Sequence, residues 1–283
     1  MTFNYYYHHG YGFQVSYGNP AVYVDNGYSP IYSNHQNVYP LKCALPSPLP
    51  TIQKYSKYKY LVVVDFEATC QDFYHPHYEH EIIDFPAILI DTTNSKTVSI
   101  FHQLVRPLRK PHLSNLCKKL TGIKQADIDQ ADSLNIVWYK FMNWLELHTE
   151  CSFNGERNDF LMVTDGHNDL AKFLFRNLFK FNIVPERAFL RYADIRHILS
   201  PISKRVTNKK LNNMKLKEII EAFRLNFKGD AHSGLSDALN ITELLQLTRF
   251  TYEVRINPTH VVDLRREMFT YGTKSYHYET YCG

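Results

Sequence analysis

Asp65-Phe66-Glu67 places two carboxylates at positions i and i+2. On a strand, such residues point to the same side. The residues before them, Tyr60-Leu-Val-Val-Val64, are apolar and mostly β-branched, so the pair sits where a buried strand emerges. Two carboxylates on one face repel each other unless a cation lies between them. Oxygen-only donors suit a hard ion such as Mg²⁺ or Mn²⁺. Of fifteen aspartates, only Asp65 has a glutamate two residues on. A solvated strand end would carry the same residues.

Asp169 follows in Thr164-Asp-Gly-His-Asn-Asp169-Leu170, between a predicted strand and a predicted helix. A carboxylate there also suits a helix N-terminus, and Asp165 and Gly166 suit a turn. The third signal is His232-Ser-Gly-Leu-Ser-Asp237. Among fourteen histidines, only His232 has an aspartate five residues on. Gly234 allows a tight loop, and Ser236 can cap the helix that follows. Asp237 shares a helix face with Ile241, Leu244 and Thr248, so it points inward and needs a partner, which a metal would supply. A histidine beside it titrates near neutral pH and suits proton abstraction. A capping Asp with an unrelated loop His is the plain alternative. Taken in order, four carboxylates and a histidine on one sheet edge describe a two-metal phosphodiester site.

The elements that must position these residues read as an α/β plan. Strands are predicted at Tyr60–Asp65, Glu81–Ile90 and Thr97–Val105, with a hairpin turn over Asp91–Ser95. Pro86 marks a bulge or an edge position in the second of them. Ser133 can cap a helix carrying Val137, Phe141, Trp144 and Leu145. A strand at Phe160–Thr164 precedes a helix with Leu170, Phe173, Leu174 and Leu178 on one face. A short strand at Phe189–Ala193, a helix over Met214–Phe223 and a last helix over Ser236–Phe250 complete the plan.

Composition bounds the rest. Of 283 residues, 44% are hydrophobic and 21% charged, so a large core is available. No apolar run is long enough to span a membrane, and the N-terminus lacks the pattern of a secretory signal. Five scattered cysteines without a C-x-x-C pair argue against a disulfide framework and a thiolate zinc site. A cytoplasmic or nuclear location follows as the default, not secretion. Residues 1–58 form a Tyr-, Asn- and Pro-rich segment. Its first fifty residues hold nine tyrosines and only two charges. It reads as a flexible aromatic arm or an inert tail, joined by a stiff linker at Pro46, Pro48 and Pro50. Residues 59–257 form the ordered domain and 258–283 a tail. The net charge of +4 is compatible with a nucleic-acid partner without demanding one. Lys204, Arg205, Lys209, Lys210, Lys215 and Lys217 cluster in the connection between Asp194 and the helix after Met214. They suit an RNA backbone, a solvated face or a nuclear-import signal.

The wording Val64-Asp-Phe-Glu-Ala-Thr-Cys70, Glu81-Ile-Ile-Asp-Phe-Pro86, Phe101-His-Gln, Val105-Arg-Pro107, Leu120-Thr-Gly-Ile123, Thr164-Asp-Gly166 and Ala231-His-Ser-Gly234 resembles the DEDDh group of 3′→5′ exonucleases. Within it, the chain is similar to the ERI (enhanced RNA interference) exoribonuclease branch, which includes the histone-mRNA 3′ exonuclease. The resemblance covers about Tyr60 to Asn257. It implies an RNase H-like mixed sheet flanked by helices. It implies that Asp65, Glu67, Asp169 and Asp237 bind two Mg²⁺ ions, with Mn²⁺ as the other candidate, and that Glu67 and His232 are catalytic, His232 as general base. It implies that Ala68, Leu120, Thr121, Gly122, Leu170 and His232 contact the 3′-terminal nucleotide. Several relatives carry Trp at the position of Asn168, and no SAP-type helical module is legible before the nuclease segment. The expected substrate is a single-stranded RNA end or 3′ overhang, in small-RNA, histone-mRNA or rRNA maturation or decay. A DNA exonuclease on the same residues and a catalytically idle RNA-binding adaptor are the alternatives.

Overall fold

The structure is a computed structural model that describes residues 56–73, 78–149, 159–252 and 254–262. The Tyr-rich segment up to Tyr55, its proline linker, and residues 263–283 lie outside the described residues. So do Cys43, Cys151 and Cys282.

The chain runs β1 (Tyr60–Val64), β2 (Glu67–Ala68), β3 (Ile82–Asp91), β4 (Lys96–Arg106), α1 (Asn115–Thr121), α2 (Gln125–Gln130), β5 (Asp132–Ser133), α3 (Leu134–His148) and β6 (Phe160–Thr164). A π-helical turn (Asn168–Leu174) leads into α4 (Phe175–Lys180), and a 3₁₀ turn (Arg187–Leu190) into β7 (Arg191–Asp194). Then come α5 (Ile195–Val206), α6 (Leu216–Ala222), α7 (Gly234–Tyr252) and β8 (His260–Val261). The strands form one mixed sheet in the order β5-β4-β3-β1-β6-β7-β8, with β2 paired to β3. β1 is antiparallel to β3 and parallel to β6.

The period of two in the strands divides the core between two helical layers. Val62, Val64, Phe85, Ala87, Phe160 and Met162 pack with Phe141, Trp144 and Leu174 on one face. Leu61, Val63, Ile88, Ile90, Leu161 and Val163 pack with Ile198, Ile220, Ile241 and Leu244 on the other. Both faces of the central strands are covered, which is why they read as continuous apolar runs.

Several expectations are corrected. Pro86 lies in a central strand, not at an edge. β1 pairing stops at Val64↔Ala87 and β2 pairing resumes at Glu67↔Asp84, so Pro86 falls opposite the break where Asp65 and Phe66 leave the ladder. Ser133 occupies the N-cap of α3, but its hydroxyl donates to Asn135 Oδ1 (2.6 Å) and caps no backbone N–H. The last helix starts at Gly234, so Ser236 lies inside it. The strand expected at Phe189–Ala193 begins only at Arg191. The connection after Asp194 contains a twelve-residue helix, α5. The fold also continues past residue 257. Val262 donates its N–H to Leu190 O (2.8 Å), and His260 pairs with Tyr192. The boundary at 257 is therefore placed short, because a two-residue strand has no period to read.

Candidate active site

Four segments bring the predicted carboxylates to the carboxyl end of β1. Asp65 follows directly after β1, and Glu67 opens β2. Asp169 stands in the first turn of the π-helical segment, and Asp237 in the first turn of α7. Asp169 Oδ1 accepts the Phe66 N–H at 2.9 Å, which ties the π-helical segment to the residue between Asp65 and Glu67. Asp237 Oδ2 accepts the His232 N–H at 2.9 Å, which fixes the histidine loop to the helix it precedes. One oxygen of each aspartate thus holds backbone and sets the carboxylate's direction.

The four groups share an electrostatic environment. Burial holds Asp65 well above the ordinary carboxylate range, and Asp169, Asp237 and Glu67 push it further. Burial, then Asp237, Asp84 and Asp169, raise Glu67 to about 8. Burial raises Asp169 to about 7 against the pull of the Phe66 N–H. Asp237 rises to about 6, again by burial, opposed by the His232 N–H and ring. Repulsion of this kind holds protons in the cluster, on Glu67 above all, until a cation displaces them. The donors are carboxylate oxygens alone, a set that fits hard divalent ions.

Gly234 explains how α7 comes so near. A Cβ there would lie 2.5 Å from the Asp65 carbonyl oxygen, 3.0 Å from Asp84 Oδ2 and 3.2 Å from Pro86 Cγ. Only a residue without a side chain allows this approach. His232 itself is left-handed, at φ 66°. A non-glycine there is strained by roughly 1–3 kcal/mol. Its side chain is exposed.

The predicted pocket residues separate. α1 is fastened to the segment after β2, because Ser114 Oγ donates to Cys70 O (2.8 Å) and Cys117 Sγ to Ala68 O (3.9 Å). This anchors the first turns of α1, and Leu120, Thr121 and Gly122 follow at its end. Leu120 is 43% exposed. Thr121 Oγ1 donates to Cys117 O (2.9 Å) and accepts the Ile123 N–H, so its hydroxyl braces the turn. Gly122 closes the helix at φ 71°. Ala68 is half-buried in β2. Leu170 is corrected: it is fully buried in the core, on the inner side of the π-helical segment, where an apolar side chain leaves water.

Supporting residues went unread in the sequence. Asp84 is buried and bonds His102 Nε2 through Oδ1 at 2.7 Å. The Glu81-Ile-Ile-Asp, Phe101-His-Gln and Ala231-His-Ser-Gly stretches thus meet at one point beneath Glu67. Glu81 accepts the N–H groups of Leu108, Arg109 and Lys110 and holds the loop after β4. Asp165, read as a turn residue, raises Asp65, Asp169 and Asp237. It is held bidentately by Arg196 at 2.6 and 2.8 Å. A motif signal existed for Asp84 and His102, whereas nothing near Arg196 in the chain marks it.

The basic cluster is exposed. Lys204 and Arg205 lie in the last turn of α5, where cations suit the helix dipole. Lys209 pairs with Glu218 at 3.6 Å.

The exonuclease family of RNase T matches residues 62–245. The chain is 32% identical over 206 residues to human 3′-5′ exoribonuclease 1, covering 71% of this chain and 56% of that protein. It is 29% identical to the 3′-5′ exonuclease eri1 of Schizosaccharomyces pombe, covering 66% and 67%. It thus spans little more than half the length of the human relative. Among solved structures, the nuclease domain of 3′hExo, a DEDDh family member bound to rAMP, matches with a TM-score of 0.63 and 31% identity, over 71% of this chain and 96% of that one. A 3′-exonuclease solved for its 3′-end-specific recognition of a histone mRNA stem-loop matches with a TM-score of 0.63 and 30% identity, over 71% and 86%.

Proposed function

The chain belongs to the DEDDh, RNase T-like exonuclease family, and from that premise we propose that it is a Mg²⁺-dependent 3′→5′ exoribonuclease acting on single-stranded RNA ends. One observation carries the reading. Four carboxylates from four segments of the chain meet at the end of β1, each raised by burial and by its neighbours. A protein does not gather unneutralised acids at this density for stability.

In this reading Asp65, Glu67, Asp169 and Asp237 hold two divalent ions. When bound, such ions activate a water and stabilise the leaving 3′-oxygen. The remaining work belongs to the chain's own groups. The His232 N–H bond to Asp237 holds the histidine's backbone beside the carboxylates, and its exposed ring takes a proton from the attacking water. Asp169 and Asp237 keep their directions through the Phe66 and His232 N–H groups. Leu120 offers an exposed apolar side chain to the terminal base, and the braced turn at Thr121 and Gly122 bounds the pocket around a free 3′ end. The RNA named for the matched relatives supports a ribonucleotide substrate. Small-RNA, histone-mRNA and rRNA 3′ ends are the candidates.

The test uses matched 5′-labelled RNA and DNA oligonucleotides, with Mg²⁺ or EDTA, and with the 3′ end free or blocked. The expected result is a ladder shortening from the 3′ side on free-ended RNA, with none in EDTA or on blocked ends. Preferential digestion of the DNA would replace the ribonuclease reading. Efficient cutting of circular RNA would overturn the exonuclease assignment.

A further inference from the structure

The far edge of the sheet brings together three residues outside the four-carboxylate cluster. Asp194 closes β7 and caps α5, His197 follows in the first turn of α5, and His260 stands on β8. A carboxylate oxygen of Asp194 and one ring nitrogen of each histidine all lie within 4.8 Å of one another. We propose that these three side chains form a structural zinc site, separate from the four carboxylates, that clips the last strand to the sheet.

The side chains are oriented as ligands are. Asp194 Oδ1 accepts the N–H groups of Arg196 (2.8 Å) and Gly166 (3.2 Å), while Oδ2 lies 3.4 Å from His197 Nδ1. The His260 ring stacks on Tyr192, its partner across the β7–β8 ladder, with centroids 5.1 Å apart and planes 13° apart. It meets the His197 ring edge-on at 4.8 Å. His260 Nδ1 lies 2.8 Å from Thr259 Oγ1, and that oxygen also accepts the Asp194 N–H at 2.8 Å. With Nδ1–H donating to the hydroxyl, Nε2 carries the lone pair a metal needs. Metal-bound histidines are fixed by such a second hydrogen bond.

Ligand chemistry selects the ion. Two imidazoles and a carboxylate suit zinc, whereas Mg²⁺ takes oxygen donors and retains water. Tetrahedral bonds of about 2.0–2.1 Å set ligand atoms roughly 3.4 Å apart. The observed spread is wider, and His197, whose side chain is 56% exposed, is free to close it by rotation. Its exposed side leaves a fourth position for water. The benefit falls on β8, which has two residues and a solvent edge. Through Gly166, the same aspartate also steadies the turn that leads to Asp169.

The test titrates the metal-free full chain with ZnCl₂ in millimolar Mg²⁺, following heat of binding and melting temperature. The expected result is one zinc per chain and a raised melting temperature, in wild type and equally in Asp65→Asn. His197→Ala, on an exposed position that tolerates truncation, should weaken zinc binding at least tenfold and abolish the rise in melting temperature. His260→Ala should do the same. Zinc that binds both histidine variants as it binds wild type, for instance through His8 and His9, overturns the proposal. So does zinc binding that Asp65→Asn removes, or no zinc binding by wild type under these conditions.

Discussion

Glu67→Gln separates the electrostatics of the carboxylate cluster from its chemistry. Glu67 is raised from 4.5 to about 8, chiefly by burial. The folded carboxyl therefore keeps its proton at pH values where the unfolded one has lost it. The folded state then binds more protons, and stability falls as pH rises between about 4.5 and 8. At pH 7 the distance from 4.5 is two and a half units, at about 1.4 kcal/mol each. That makes about 3 kcal/mol a ceiling, and water reaching the half-buried group lowers it to roughly 1–3 kcal/mol. A neutral amide avoids this loss. In EDTA at pH 7, Glu67→Gln should melt roughly 2–12 °C above wild type, given ~2–4 °C per kcal/mol for a domain of this size. The gap should close near pH 4, where both states of the carboxyl are protonated. In Mg²⁺ the order should narrow or reverse, because wild type gains the ion and the variant binds it less well. Nuclease activity should be lost at every pH. Differential scanning calorimetry across pH, with and without Mg²⁺, reads all of this. A variant no more stable than wild type in EDTA at pH 7 would refute the account of the cluster as mutually repelling, buried acids.

His232→Ala should cut turnover by roughly 10²–10⁴-fold and leave Mg²⁺ affinity nearly unchanged. A variant whose turnover matches wild type would show that another group takes the proton. Gly234→Ala forces a Cβ to within 2.5 Å of the Asp65 carbonyl oxygen, which is backbone and cannot move aside. It should destabilise the protein by roughly 1–3 kcal/mol and depress activity by displacing Asp237, as melting and rate measurements on one preparation would show.

The central strands were legible because burial on both faces demands unbroken β-branched and aliphatic runs. The short strands β2, β5 and β8 were not, since two residues carry no period. Helix α5 was hidden by Pro201 and by its basic end, which read as a connection. The π-helical form of Asn168–Leu174 was equally out of reach. Leu170, Leu174 and Leu178 recur at a spacing that an ordinary helix satisfies, and the wider turn occurs where Asp169 reaches across to the Phe66 N–H.

The site divides along the same line. Asp65, Glu67, Asp169, His232 and Asp237 stand out because each sits at a junction of elements that local sequence marks. Their supports are pairs closed by the fold: Asp84 with His102, and Asp165 with Arg196. One partner of such a pair is an ordinary residue until the sheet brings the other to it. Leu170 shows the converse limit. A family pattern fixes where a position lies along the backbone, beside Asp169 in this case. Which way the side chain faces is decided by the core, and an apolar residue on the inner side of a helical turn gains more from burial than a pocket could offer it.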